Sequence, residues 1–283
     1  KFRVLYAEVD KAGRLLLDDL ERKLRVSRGR VLLVTVTGAS NVTGHVNPIG
    51  KIARLAHHYG AEIMVDGAQM VPHLPVSMKG FADGDHIDYL AFSAHKMYAP
   101  FGTGVLIGPR KTFERGQSEI VGGGTVELVS LQQVRWAGVP HRDEAGTPNM
   151  MGIIALSEAI KSLKRLGMRR IMGVETELAH YARRRLSRVP RLVFYGDNYN
   201  HNNKVGIITF NVQGTHHETV ASYLTNEHGI AVRSGCFCAQ PYVQRLLGVS
   251  PAEVKQAFAT PGKPQRGMVR ISFGLYNTKA EVD

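Results

Sequence analysis

The sequence predicts an α/β protein with a mostly parallel sheet, followed by a smaller α+β domain. Three observations carry this. Between residues 31 and 107, short apolar runs alternate with a helix-period segment and turn signals. That is the rhythm of strand–helix–strand units whose sheet is covered on both faces. The 283 residues, 43% hydrophobic and 21% charged, suffice for a sizeable core in one or two domains. After Pro190 the texture changes to strands broken by one helix and longer loops. The expected boundaries are 1–167 for the large domain and 168–283 for the small one.

Val31 to Val36 reads as a fully buried strand, and Asn47 to Tyr59 as a helix. In that helix Ile49, Ile52, Leu55 and Ala56 fall at helical spacing, and Gly60 stops it. Strands follow over Glu62–Val65, Ile87–Phe92 and Gly104–Ile107. Two helices are expected over Met150–Leu166, ended by Gly167, and about Arg169–Val189. The second domain should hold a strand over Lys204–Val212, a helix over His217–His228, and strands over Ile230–Val232 and Met268–Phe273. Thr278 and Glu281 form a T-x-x-E capping box, which announces a further helix. With an opening inside an apolar strand-like run, this reads as a fragment of a longer protein.

Composition removes several classes of function. No run of about 18 apolar residues is present to span a membrane, and the chain opens without an apolar leader-like segment. Cys236 and Cys238, the only cysteines, cannot build a disulfide framework, so a reducing, cytoplasmic setting is expected. Lys and Arg number 36 against 24 Asp and Glu, a net charge of +12. From Lys161 to Arg191, ten Lys and Arg face only Glu175 and Glu177, a local +8. That run is read as the solvated face of long helices; a docking face for an acidic partner is the alternative. No RNA-binding or helix-turn-helix motif is present, so no nucleic-acid partner is expected.

Three constellations sit at strand ends, where open α/β sheets bind ligands. They are Asp66-Gly67-Ala68-Gln69, Ser93-Ala94-His95-Lys96 and Arg233-Ser-Gly-Cys236-Phe-Cys238. A lysine at that edge is poorly placed as a surface charge. Its amine can form a Schiff base, and pyridoxal phosphate enzymes pair such a lysine with an acid facing the pyridine nitrogen. Asp66 supplies an acid one strand earlier. A buried Asp66–Lys96 ion pair would account for the same residues. A metal or redox reading of Cys236 and Cys238 would need more ligands, for which His216 and His217 are the candidates.

Taken together, SNVTG (40–44), VDGAQ (65–69), FSAHKMYAPFGTG (92–104), EAGTPN (144–149), VRSGCFCAQP (232–241) and VRISFGLYNT (269–278) resemble the cysteine desulfurases. The resemblance is to the selenocysteine lyase/SufS-type group of the class V aminotransferase family, collinear along the whole chain. It implies the fold type I of pyridoxal 5'-phosphate-dependent transferases, here without part of the N-terminal region and the last helix. The family's phosphate-binding turn and ring-stacking residue belong to that earlier segment.

The resemblance further implies that Lys96 holds the cofactor and shuttles the Cα proton, while Asp66 faces the pyridine nitrogen. Gln69 and Asn41 would address the ring hydroxyl and substrate side, and Ser93 and His95 the phosphate. Thr147 would reach a phosphate across a homodimer interface. Arg270 and Arg233 would clamp the substrate carboxylate, and Cys238 would take sulfur from L-cysteine as a persulfide, releasing alanine to leave a sulfur for an acceptor protein. Two features depart from the group. The CFC sequence resembles the molybdenum cofactor sulfurases, and 31 residues separate Cys238 from Arg270, with QRLLGVSPAEVKQAF inserted. A class V aminotransferase, epimerase or lyase that uses no cysteine nucleophile is the other enzymatic reading.

Overall fold

The computed structural model describes residues 2–115, 118–196, 203–260, 262 and 265–283. Its first sheet has the order β1-β2-β3-β4, from β1 (Leu33–Thr37), β2 (Glu62–Asp66), β3 (Tyr89–Ser93) and β4 (Gly104–Ile107). The first three strands are parallel, with Val34 opposite Ile63 and Val65 opposite Leu90. β4 closes the edge antiparallel to β3. Between β1 and β2 runs α2 (Ile49–His58), which turns Ile52, Ala53 and Ala56 inward. Gly60, at φ +77°, lets the chain reverse into β2. Ile52, Ala53, Ala56, Ile63 and Val65 are the centre of the largest core cluster.

The N-terminal segment, whose opening reads from sequence as strand-like and in which no helix was expected, contains α1 (Leu17–Val26). It packs Leu20 and Leu24 onto the same core, with Asp18 and Asp19 in its first turn, where the helix dipole favours acids. Beyond β4 come the five-residue α3 (Arg110–Glu114) and a hairpin of β5 (Val126–Val129) and β6 (Val134–Trp136). Neither was anticipated. The hairpin's turn is closed by Ser130, whose N–H donates to the Gln133 carbonyl at 2.9 Å.

Helices α4 (Met150–Leu166) and α5 (Met168–Leu186) follow as expected, parted by Gly167 at φ +88°. The second sheet, ordered β7-β8-β10-β9, is antiparallel throughout. Its strands are β7 (Leu192–Tyr195), β8 (Ile207–Val212), β9 (Arg233–Gly235) and β10 (Met268–Ser272). β7 was missed, and of the strand expected over 204–212 the part from Ile207 forms. α6 (His217–His228) lies between β8 and β9.

Two expectations are corrected here. The strand expected over Ile230–Val232 lies instead at Arg233–Gly235. Gly229 ends α6 in the left-handed region, and the Ile230 N–H is drawn back to the Leu224 carbonyl at 2.9 Å, so residue 230 belongs to the helix end. The strand expected to be fully buried over Val31–Val36 is not: β1, at the sheet's edge, buries Val34 and leaves Leu33 and Thr35 exposed. At the C-terminus Glu281 accepts from the Thr278 N–H at 2.6 Å, as the capping box implies, and residues 278–283 form turns.

The inserted stretch after Cys238 is helical: α7 (Gln240–Leu246) and α8 (Pro251–Ala259). A reciprocal Ser250/Glu253 capping box with Pro251 at the first turn starts α8. That signal was legible in SPAE and was passed over. α7 also receives the N-terminal segment: Tyr242 donates to the Gly13 carbonyl at 2.7 Å, and Arg245 pairs with Glu8 at 2.6 Å. No helix among the described residues is long and apolar enough to cross a membrane.

Candidate active site

The carboxyl ends of β1, β2 and β3 open on one edge. There the backbone is stitched crosswise: Gly38 N–H donates to the Asp66 carbonyl and Gly67 N–H to the Ala91 carbonyl, each at 2.7 Å. Gly67 is required by space, since a Cβ there would come within 2.8 Å of Leu90 and Val71 side-chain carbons. Asp66, the last residue of β2, is exposed, its Oδ1 accepting from the Ala68 N–H at 2.9 Å.

Lys96 rides on a 3₁₀ turn, Ala94–Met97, immediately after β3. Ala94 and Met97 are buried and pin the turn; Tyr98, at φ +64°, ends it. Lys96 itself is half-buried. Burial pushes its ammonium below the usual lysine range, and the Arg270 and Arg233 charges push the same way, against the pull of Asp66 and Cys238. Charges carried by both sheets therefore bear on this one amine.

The second sheet delivers its share through β9 and β10, where Arg233 stands opposite Arg270. Arg270 donates from Nη1 to the Asn41 carbonyl at 2.7 Å, and its guanidinium lies 5.2 Å from the centre of the Phe237 ring. Its Nε is buried without a partner among the described residues. Asn41 returns the tie, its amide donating to the Phe237 carbonyl at 2.7 Å. Asn41 is therefore a clamp on the cysteine segment, a role the sequence did not suggest.

Phe237 and Cys238 both take left-handed backbone conformations, at φ +53° and +62°. Phe237 is buried in a cluster with Val42, Val243 and Met268, against which Cys236 also packs. Cys238 is exposed, with Arg233 Nη2 3.8 Å from its Sγ. Cys236 is half-buried; its thiol donates to the Arg266 carbonyl at 3.6 Å, and burial pushes it above the usual thiol range.

The remaining expected residues divide. Gln69 is buried at the foot of the same edge, its amide nitrogen 3.0 Å from His73 Nε2. Ser93 and His95 flank Lys96, half-buried and exposed respectively. Thr147 is not brought to the group within one copy of the chain: it lies exposed in the segment that Asn149 anchors by a hydrogen bond to the Phe101 carbonyl at 2.5 Å. His216 and His217 each direct Nε2 to the Gln265 carbonyl at 3.1 Å rather than toward the cysteines. A cation-sized group elsewhere, His57, His86 and Asp88, has its two rings stacked 4.2 Å apart at 17°. In-plane lone pairs on rings so nearly parallel do not converge on one ion.

Fold and site together define a class of protein: an α/β protein with a half-buried lysine of lowered pKa at the ligand edge of its sheet. The chain belongs to the aminotransferase class-V family, whose profile matches residues 1–283. Pyridoxal phosphate is the cofactor expected of that family. The chain is 35% identical over 278 residues to a probable cysteine desulfurase of Halalkalibacterium halodurans, covering 98% of this chain and 61% of the relative. A probable cysteine desulfurase of a Synechocystis species is 37% identical over 265 residues, 94% of this chain and 58% of the relative.

Among solved structures, the apo cysteine desulfurase of Thermococcus onnurineus superposes with a TM-score of 0.84 at 34% identity, covering 98% of this chain and 63% of that one. A cysteine desulfurase of Escherichia coli in its S-sulfonic acid form gives 0.81 at 30%, covering 97% and 61%. The expected α/β fold, that of the fold type I transferases, is thus the one found. The chain spans about three fifths of the length of the curated relatives it matches.

Proposed function

We propose that this chain carries the catalytic group of a pyridoxal 5'-phosphate-dependent cysteine desulfurase, which takes sulfur from L-cysteine as a persulfide on Cys238 and releases alanine. The observation that carries the reading is the placement of Asp66 and Lys96 at neighbouring strand ends, with Arg233 opposite Arg270 and 3.8 Å from Cys238 on the second sheet. The donor set fits the cofactor. A lysine with a lowered pKa offers more of the neutral amine that attaches to a carbonyl. An exposed carboxylate at the neighbouring strand end suits a ring nitrogen, and the buried, unpartnered Arg270 Nε suits an anion.

Lys96 would hold the cofactor and Asp66 would face its ring nitrogen. Gln69, Asn41, Ser93 and His95 would surround it, and Thr147 would serve a second copy of the chain. When bound, pyridoxal phosphate supplies an electron sink for charge at the substrate α-carbon. Lys96 moves the proton at that carbon. Arg270 holds the carboxylate in its planar fork. Cys238, with Arg233 Nη2 3.8 Å from its Sγ, attacks as the thiolate and forms an S–S bond to the substrate sulfur as the carbon–sulfur bond breaks.

Several coarser features support the setting. Free thiols suit the cytoplasm. Ile120, Leu128, Leu131, Met150 and Met151 are exposed apolar residues in the segments flanking Thr147, as a homodimer interface would need. The division at 167/168 separates the two sheets. Absorbance of the whole natural protein, followed by assay of alanine and sulfide from cysteine, tests the reading. Colour fixed by borohydride and lost in Lys96→Ala is expected, with product formation. A colourless protein would sink the proposal, and colour without sulfide would leave an aminotransferase.

A further inference from the structure

Behind the candidate site, Gln69 enters a buried polar chain. Its Nε2 lies 3.0 Å from His73 Nε2, and His73 Nδ1 lies 2.8 Å from Glu175 Oε2. Gln69 is 8% exposed and Glu175 2%, while the His73 side chain is 13% exposed. Gln69 and His73 stand four residues apart in consecutive turns carrying helical bonds, such as Val71 N–H to the Gly67 carbonyl at 2.8 Å, so they share a face. Glu175 reaches them from α5, which lies between the two sheets in sequence.

Donor and acceptor accounting orders this chain. With a carboxylate at 175 and a neutral imidazole at 73, the His73 proton sits on Nδ1 and points at Glu175, because a carboxylate only accepts. The neutral imidazole then has a bare Nε2, which also only accepts. Gln69 must turn its amide nitrogen to it. In the opposite flip, the amide oxygen would face a lone pair at the same distance, leaving two buried acceptors unmatched.

Packing alone does not explain Glu175. The other buried residues on its helix are Ile171, Leu178 and Ala182, and its Oε1 is buried without a partner among the described residues. An apolar residue there would avoid burying a carboxylate at all.

We infer that His73 and Glu175 are positioning residues for Gln69. The carboxylate sets the tautomer of His73, the tautomer sets the flip of the Gln69 amide, and the flip fixes which donor and acceptor the amide offers to the cofactor pocket. The consequence for the pocket rests on the functional reading above; the hydrogen-bond lock does not.

The test is the histidine ¹⁵N and ¹³C spectrum of the whole natural protein without cofactor, with His73 assigned by its loss in His73→Asn. Nδ1 protonated and Nε2 bare are expected in the wild type and in Glu175→Gln, whose amide oxygen still accepts. In Glu175→Leu the Nε2–H tautomer should become the majority. With pyridoxal phosphate added, Glu175→Leu should bind it about fivefold more weakly, the loss of one oriented hydrogen bond, and Glu175→Gln should match the wild type.

Should Glu175→Leu fail to fold, Gln69→Glu takes its place: an acceptor-only side chain at 69 should leave His73 doubly protonated between two carboxylates. Wild-type His73 found as Nε2–H, or a tautomer unmoved by either substitution, overturns the inference. The expected tautomers in a protein that never binds pyridoxal phosphate would uphold the lock and overturn the functional reading instead.

Discussion

Replacing Asn41 by alanine should loosen the cysteine turn while leaving Arg270 in place. Two non-glycine residues in succession, Phe237 and Cys238, hold positive φ, at about 1–2 kcal/mol each. Three things oppose that strain. Phe237 is 4% exposed, and burying such a side chain is worth about 1.5–3 kcal/mol. The Ala239 N–H donates to the Cys236 carbonyl at 2.8 Å, and Asn41 donates to the Phe237 carbonyl at 2.7 Å. Each bond contributes about 0.5–1.5 kcal/mol net.

The balance is close to even, so losing the Asn41 bond should raise the open population about fivefold, the equivalent of about 1 kcal/mol. Arg270 bonds the backbone carbonyl of residue 41 and keeps its tie in the variant. Hydrogen exchange of the peptide around residues 234–240, read by mass spectrometry, should accelerate about fivefold in Asn41→Ala. It should accelerate further in Asn41→Asp, where an acceptor faces an acceptor. Unchanged exchange in both variants would refute the clamp, and the turn would then rest on Phe237 alone. Unchanged exchange with lost cofactor affinity would return Asn41 to the cofactor.

Three further outcomes are expected. Cys238→Ser should form no persulfide with cysteine, detectable by mass spectrometry, whereas Cys236→Ser should keep substantial activity because that thiol is tied inward and held protonated. Burial and the two arginines lower the pKa of Lys96, so its ammonium costs stability below the shifted pKa, and that cost disappears as pH rises toward the ordinary lysine value. Lys96→Met should therefore raise Tm at neutral pH, with a gain that shrinks on titration toward pH ~10; a gain independent of pH would contradict the assignment. Burial opposes a charge on His57, yet its hydrogen bond to Asp88 at 2.9 Å raises its pKa, while Asp88 is held below the usual carboxylate range. The pair's stability is present from above the ordinary aspartate pKa to the ordinary histidine value, and fades as pH rises through the raised one. His57→Gln should then cost more Tm at pH ~5.5 than at pH ~9, a difference that calorimetry at both values would read.

Local pattern was enough for much of this protein. The strands Leu33–Thr37, Glu62–Asp66 and Tyr89–Ser93 were legible as apolar runs, although β1 keeps Leu33 and Thr35 exposed, and α2 and α4 declare themselves by helical spacing and a closing glycine. Lys96 and Asp66 could be picked out because an open sheet presents its strand ends to ligand. Helix α8 was equally legible in its capping box and was overlooked, while the strand at Arg233–Gly235 was misplaced because its apolar neighbours are spent on capping α6.

What only the tertiary structure decided lies in contacts between residues far apart in the chain. Asn41 meets Phe237 across 196 positions and His73 meets Glu175 across 102. The two cysteines are told apart by burial: Cys236 packs against the cluster that holds Phe237, and Cys238 is exposed. Residue type and spacing constrain what a side chain can do with near neighbours, because backbone geometry carries that information. Which donor faces which acceptor across two sheets is set by the packing that brings them together, and a linear pattern does not record it.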